Sequence, residues 1–184
     1  MIRLLPYADC PEMPWKNGLG VTREISRHPA VEAYDWRISV ATIRDDGPFS
    51  RFSGYLRNIS VLEGEGMFLT IDGEESGLIA PFQATDFNGE SEVSCKIHGG
   101  PLLDFNVIYK AETTTAAVNW LRGGEWTEQQ NTQLLFNAGE TLELEVNGQH
   151  YALGHYDSLL IGAPASVAVA SGQNARFARV VIGQ

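Results

Sequence analysis

Several features are scarce in this sequence, and each absence narrows what the protein can be. No run of about 18 apolar residues occurs, so no membrane-spanning helix is expected. The apolar part of MIRLLPYADCPEMPW is too short for a secretory leader and is interrupted by Pro6, so a cytoplasmic protein is expected. The two cysteines, Cys10 and Cys95, allow at most one disulfide and form no CxxC, which argues against a disulfide scaffold and a zinc knuckle and favours buried free thiols. Basic residues are few: 13 Lys and Arg stand against 23 Asp and Glu, a net charge of −10. With no basic cluster, neither nucleic acid nor a membrane surface is an expected partner. His28, His98, His150 and His155 are scattered, and no HxH places two imidazoles on one side of a strand, so neither a cupin-type metal centre nor any other cofactor is expected. GxSxG, HExxH, Walker A and GxGxxG are likewise missing.

What is present is a β rhythm. The chain has 184 residues, 43% of them hydrophobic, enough for one large or two small globular domains. The stretch Met13 to Ile25, MPWKNGLGVTREI, places an Asn-Gly turn before the alternating Val21 to Ile25. Tyr34 to Ile43 alternates with Trp36, Ile38 and Val40 on one face and Arg37, Ser39 and Ala41 on the other. Arg57 to Leu62 reads as a further strand, followed by glycine-punctuated hairpins at Gly66 to Ile71, Pro81 to Phe87 and Glu92 to Ile97. Leu102, Asp104, Asn106 and Ile108 share one face of the next strand. The second half supplies strands at Tyr151 to Leu153, Asp157 to Ala163, Ser166 to Ala170 and Arg176 to Ile182, and no long stretch has helical spacing. Gly64-Glu65, Leu69 and Ile71-Asp72-Gly73 recur as Gly139-Glu140, Leu144 and Val146-Asn147-Gly148, all displaced by the same 75 positions. Two repeated all-β units, small barrels or jelly rolls, follow from that.

Polar residues on otherwise apolar strands mark where chemistry could sit. Asp104 and Asn106 share a face, as do Arg37 and Ser39, and Arg57 opens an apolar strand. One reading is a buried ion pair of Arg37 or Arg57 with Asp104 or Glu24 that fixes strand register; such bridges are often no more stabilising than packed apolar residues. The other is a barrel mouth in which a guanidinium holds a carboxylate, with Lys16, Asn17 and Asn106 fixing the rest of a small ligand and Trp15 and Trp36 as apolar walls.

Trp15-Lys16-Asn17-Gly18, Thr22-Arg23-Glu24-Ile25, Trp36-Arg37-Ile38-Ser39, Gly47-Pro48-Phe49-Ser50, Arg57, and Gly100-Pro101 with Asp104-Phe105-Asn106 resemble the HutD/Ves family. These segments lie between residues 13 and 109; the second half fits mainly by strand rhythm. The resemblance implies a bicupin, two cupin-like β-barrels without the metal triad, divided here as residues 1–110 and 111–184, with the N-terminal strand free to pair with the second barrel. It also implies association with histidine utilisation as a regulator or governor, with urocanate or formylglutamate as candidate ligand. Lys16, Asn17, Thr22, Glu24, Arg37, Arg57, Asp104 and Asn106 match the family's polar positions and are the expected ligand contacts, with Arg57 as the carboxylate anchor and Arg37 in reserve. Two alternatives stay open: a metal-independent enzyme using Glu24 or Asp104 as general base, and a partner-binding protein, including a homodimer, that works through its surface.

Overall fold

The computed structural model describes residues 1–16, 18 and 20–184. The chain divides into two compact units, one of Met1–Cys10 with Thr115–Gln184 and one of Pro11–Thr114. The linear division at residue 110 thus becomes a discontinuous one. β1 (Ile2–Leu5) pairs with a strand from the C-terminal part of the chain, Ile2 opposite Ile161, and a short 3-10 turn at Tyr7–Asp9 follows it.

The unit Pro11–Thr114 contains β2 (Glu12–Pro14), β3 (Gly20–His28), β4 (Trp36–Ile43), β5 (Gly47–Pro48), β6 (Tyr55–Glu63), β7 (Met67–Ile71), β8 (Glu74–Glu75), β9 (Thr85–Asn88), β10 (Val93–Ile97) and β11 (Leu102–Lys110). They form a six-stranded sheet ordered β2-β3-β4-β11-β6-β9 and a four-stranded sheet ordered β5-β10-β7-β8. Ile43, Ile59 and Leu102 of the larger sheet pack with Met67, Leu69, Val93 and Cys95 of the smaller as a buried core. Strand alternation puts these side chains inward, and their removal from water is the main force holding the sheets together. The strand expected over Pro81 to Phe87 begins only at Thr85. Pro81 has no N–H to give a ladder, and Phe82 stands at φ 62, so the chain turns there first.

The other unit adds β12 (Thr115–Leu121), β13 (Gly124–Glu128), β14 (Thr132–Asn137), β15 (Leu142–Val146), β16 (Gln149–Leu153), β17 (Ser158–Ile161), β18 (Ala165–Val169) and β19 (Phe177–Gly183). Its sheets are ordered β1-β17-β14-β19-β12 and β13-β18-β15-β16, around a core that includes Leu135, Leu144, Leu153, Val167 and Phe177. The two four-stranded sheets have corresponding order, and the 75-residue repeat maps the β7–β8 hairpin onto the β15–β16 hairpin. Asp72 (φ 50) with Gly73 (φ 88), and Asn147 (φ 51) with Gly148 (φ 80), make the left-handed two-residue turns that suit a twisted hairpin. β12, β13 and β14 were not among the strands expected from sequence. Residues 133–137 of β14 are all buried, so the strand reads as a continuous run without the alternation that reveals a half-exposed strand.

Candidate functional site

The site is assembled on the inner face of the six-stranded sheet, around β11. Ile108 of β11 lies opposite both Arg37 of β4 and Arg57 of β6; Asn106 lies between Ser39 and Ile59, and Asp104 between Ala41 and Val61. Directly opposed residues on antiparallel strands point to the same side of the sheet, so these three rows form one floor. Thr22 and Glu24 extend it onto β3, opposite Ala41 and Ser39. Above it is a cavity of about 550 Å³, walled by Met13, Pro14 and Trp15 on one side and by Pro48, Phe49 and Phe52 on another.

Arg57 is the central cation. It is 7% exposed, donates from Nη2 to Asn106 Oδ1 at 2.9 Å, and reaches the Ser50 carbonyl from Nη1 at 3.4 Å. Its guanidinium carbon lies 5.2, 5.2 and 4.9 Å from the ring centres of Phe49, Phe52 and Phe87. Three aromatic faces offer a cation quadrupole attraction but no hydrogen-bond acceptor. Among the described residues Nε finds no partner. Burial lowers the Arg57 pKa to about 10, with Asp104 opposing the shift, so the side chain stays cationic near neutrality.

Asn106 turns its amide nitrogen to Asp104 Oδ1 at 2.7 Å, which orients the amide by giving each end a partner. Asp104 is 2% exposed, and burial raises its pKa to about 7 although Arg57, Asn106 and the Ala41 backbone all favour the ionised form. Desolvation therefore wins over the neighbouring guanidinium.

Glu24 plays a different part. Both its oxygens are engaged: Arg27 forks onto it through Nε and Nη2, and Arg37 donates from Nε at 2.8 Å. Arg37 also lies near Tyr34 and favours its phenolate, although burial raises the Tyr34 pKa overall. A register shift between Glu24 and Ser26 brings Arg27 opposite Arg37, so one carboxylate serves two guanidiniums. The alternatives read from sequence thus separate: Arg37 is in the Glu24 ion pair, whereas Arg57 bonds Asn106 and faces the cavity.

Of the eight expected contacts, Lys16, Thr22, Arg37, Arg57, Asp104 and Asn106 line the cavity. Asn17 lies outside the described residues. Glu24 is held on the arginines and is not part of the lining. Thr22 is already engaged, its hydroxyl accepting from Trp15 Nε1 at 2.8 Å. Trp15 lines the cavity, but Trp36 does not: strand alternation puts it on the other face from Arg37, stacked on His28 at 6.0 Å. The phenylalanines around Arg57 and the role of Arg27 were not foreseen. The Pro48-Phe49 segment was the available signal for the former, and the spacing of Arg27 from Glu24 for the latter. Among the described residues no group of three His, Cys, Asp or Glu could hold a metal ion.

The other unit carries an inward arginine too, but this one is paired with both a glutamine and a carboxylate. Arg179 Nε and Trp126 Nε1 both donate to Gln133 Oε1, at 2.8 and 2.7 Å, the Trp126 ring covers the guanidinium at 4.7 Å, and Glu128 stands 3.5 Å away. The candidate site is accordingly the cavity of Pro11–Thr114.

Comparison with known proteins agrees with this architecture. The HutD family model matches residues 7–178. An uncharacterized 21.2 kDa protein in the hutC 3′ region of Pseudomonas putida is 43% identical over 162 residues, 86% of this chain and 85% of that one. A conserved protein of unknown function from Pseudomonas aeruginosa PAO1 has a solved structure with a TM-score of 0.94 at 35% identity, covering 100% of both chains. HutD from Pseudomonas fluorescens SBW25, solved in a formate condition, aligns with a TM-score of 0.88 at 37% identity over 100% of this chain and 99% of that one. A cupin 2 conserved barrel domain protein from Leptotrichia buccalis, at 12% identity with a TM-score of 0.58, covers 89% of this chain and 88% of that one and shows the fold alone. With two units of cupin-like fold, this chain is a bicupin and belongs to the HutD family.

Proposed function

We propose that this HutD-family cupin protein, associated with histidine utilisation, binds a small carboxylated metabolite in the cavity of Pro11–Thr114 and acts as a regulator of that pathway, with formylglutamate and urocanate as candidate ligands. The observation that carries the reading is Arg57: a cation lining the cavity, stacked among rings, whose side-chain hydrogen bonds among the described residues go to the neutral Asn106 amide and the Ser50 carbonyl. A carboxylate accepting from this guanidinium would form a charge-assisted hydrogen bond of about 1.5–3 kcal/mol. The test is a calorimetric titration of urocanate and formylglutamate into the wild-type protein and Arg57→Ala. Saturable binding that disappears in a folded Arg57→Ala protein is the expected result. Unchanged affinity in that variant removes Arg57 from the site and the reading with it.

A second reading is favoured by one observation. Asp104 has a pKa of about 7, where a carboxylate can act as general base near neutrality. Under that reading the protein is a metal-independent enzyme acting on a small carboxylate, and Asp104 rather than the doubly paired Glu24 takes the proton. Turnover of either candidate ligand by wild type, abolished in Asp104→Asn, would establish it; no turnover by wild type leaves the binding role.

A further inference from the structure

We propose that the cavity of Pro11–Thr114 selects dianions, with one carboxylate on Arg57, the second on Arg37, and an apolar middle resting on Ile108. This rests on the reading that Arg57 takes a carboxylate, and adds the second pole. The register carries the argument. Ile108 is the direct cross-strand partner of both arginines, so Arg37, Ile108 and Arg57 form one transverse row of the sheet and point to the same side. Opposed Cα atoms in antiparallel pairs alternate between roughly 4.5 and 5.5 Å, so the two arginine Cα atoms stand about 10 Å apart. All three residues line the cavity. Arg37 turns its Nε to Glu24 on β3 whereas Arg57 turns its Nη2 to Asn106 on β11, so the two guanidiniums are anchored to different partners, and the side chain between them offers no hydrogen bond.

The charges fit the same occupant. Arg37 gives Nε to Glu24, but Glu24 is also forked by Arg27. Glu24 is thus shared between two guanidiniums, with Glu32 as a further anion near Arg27, so Arg37 is only partly neutralised. Arg57 supplies the other pole; its hydrogen-bond acceptors are the neutral Asn106 amide and the Ser50 carbonyl. Asp104, the carboxylate nearest Arg57 in the row scheme, is held by Asn106 and sits two rows away from the arginine row. A monocarboxylate would satisfy Arg57 and leave the Arg37 charge facing an occupied cavity.

The experiment titrates succinate, glutarate and adipate, with butyrate as the single-headed control, into wild type, Arg37→Gln, Lys16→Gln and Arg57→Ala. Gln at 37 retains an amide donor for Glu24, and circular dichroism confirms folding of each variant. The expected result is that at least one diacid binds wild type about tenfold or more tighter than butyrate, the effect of one added charge-assisted hydrogen bond of about 1.5 kcal/mol or more. Arg37→Gln then abolishes this preference, weakening the diacid more than it weakens butyrate. Equal affinity for butyrate and every diacid overturns the proposal but leaves the Arg57 reading intact if both are lost in Arg57→Ala. A preference that survives Arg37→Gln and vanishes in Lys16→Gln also overturns it, moving the second pole to the rim. Binding of none of the acids overturns the proposal together with the carboxylate reading on which it rests.

Discussion

Replacing Asp104 by Asn should change how stability depends on pH more than it changes stability itself. The carboxyl is 2% exposed, and burial raises its pKa from 3.8 to about 7 despite Arg57. Between those two values the native protein holds a proton that the unfolded chain has released. The native state therefore binds more protons than the unfolded state, and stability falls as pH rises. The decline runs from about pH 4 to about pH 7 and ends where Asp104 is ionised in both states. At ~1.4 kcal/mol per pH unit, the interval corresponds to a loss on the order of 4 kcal/mol. Asn keeps the acceptor that Asn106 uses but carries no proton to lose. Cys95, whose thiol burial pushes up to about 12, stays neutral throughout and contributes nothing to the slope. The assay is urea unfolding of wild type and Asp104→Asn at pH 5, 6, 7 and 8, because groups common to both proteins cancel in the difference. The advantage of wild type over the variant should shrink by about 3 kcal/mol across the series, most of it below pH 7. A difference that stays constant within about 1 kcal/mol, or grows with pH, would show that the Arg57 field and not burial governs this carboxyl.

Glu24→Gln removes the anion shared by Arg27 and Arg37. Breaking a fully buried pair costs about 3–5 kcal/mol; these side chains retain some water contact, so a loss of ~1–3 kcal/mol in chemical unfolding is expected, and none would make the triad ornamental. Gly20→Ala puts a Cβ at 2.3 Å from the Thr42 carbonyl and 3.0 Å from the Trp15 ring. The strand or the indole must move, giving ~1–3 kcal/mol of destabilisation and a shift in tryptophan emission; wild-type values for both would place Trp15 elsewhere. Gln133→Leu deprives Trp126 and Arg179 of their common acceptor and should cost ~1–3 kcal/mol. Gln133→Glu, which still accepts from both donors, should recover part of that, and equal melting points for the two variants would argue that packing alone sets the cost.

The sequence by itself determined the all-β character, the repeated hairpin turns and the sharing of one strand face by Asp104 and Asn106, because these are local consequences of side-chain alternation and of backbone angles that Asp-Gly and Asn-Gly tolerate. Alternation also separates Trp36 from Arg37, which is why that tryptophan cannot serve as a wall of the cavity. Tertiary structure decided the rest. Phe49, Phe52 and Phe87 come from separated segments, and only folding gathers them around Arg57. Which carboxylate each arginine meets depends on a register shift in β3 that leaves no plain mark in the alternation, and it sends Glu24 to Arg27 and Arg37. β14 leaves no alternation in the sequence because burial on both faces erases its period. The protonation of Asp104 is set by a contest between desolvation and a nearby cation, and only the assembled unit decides which of the two prevails.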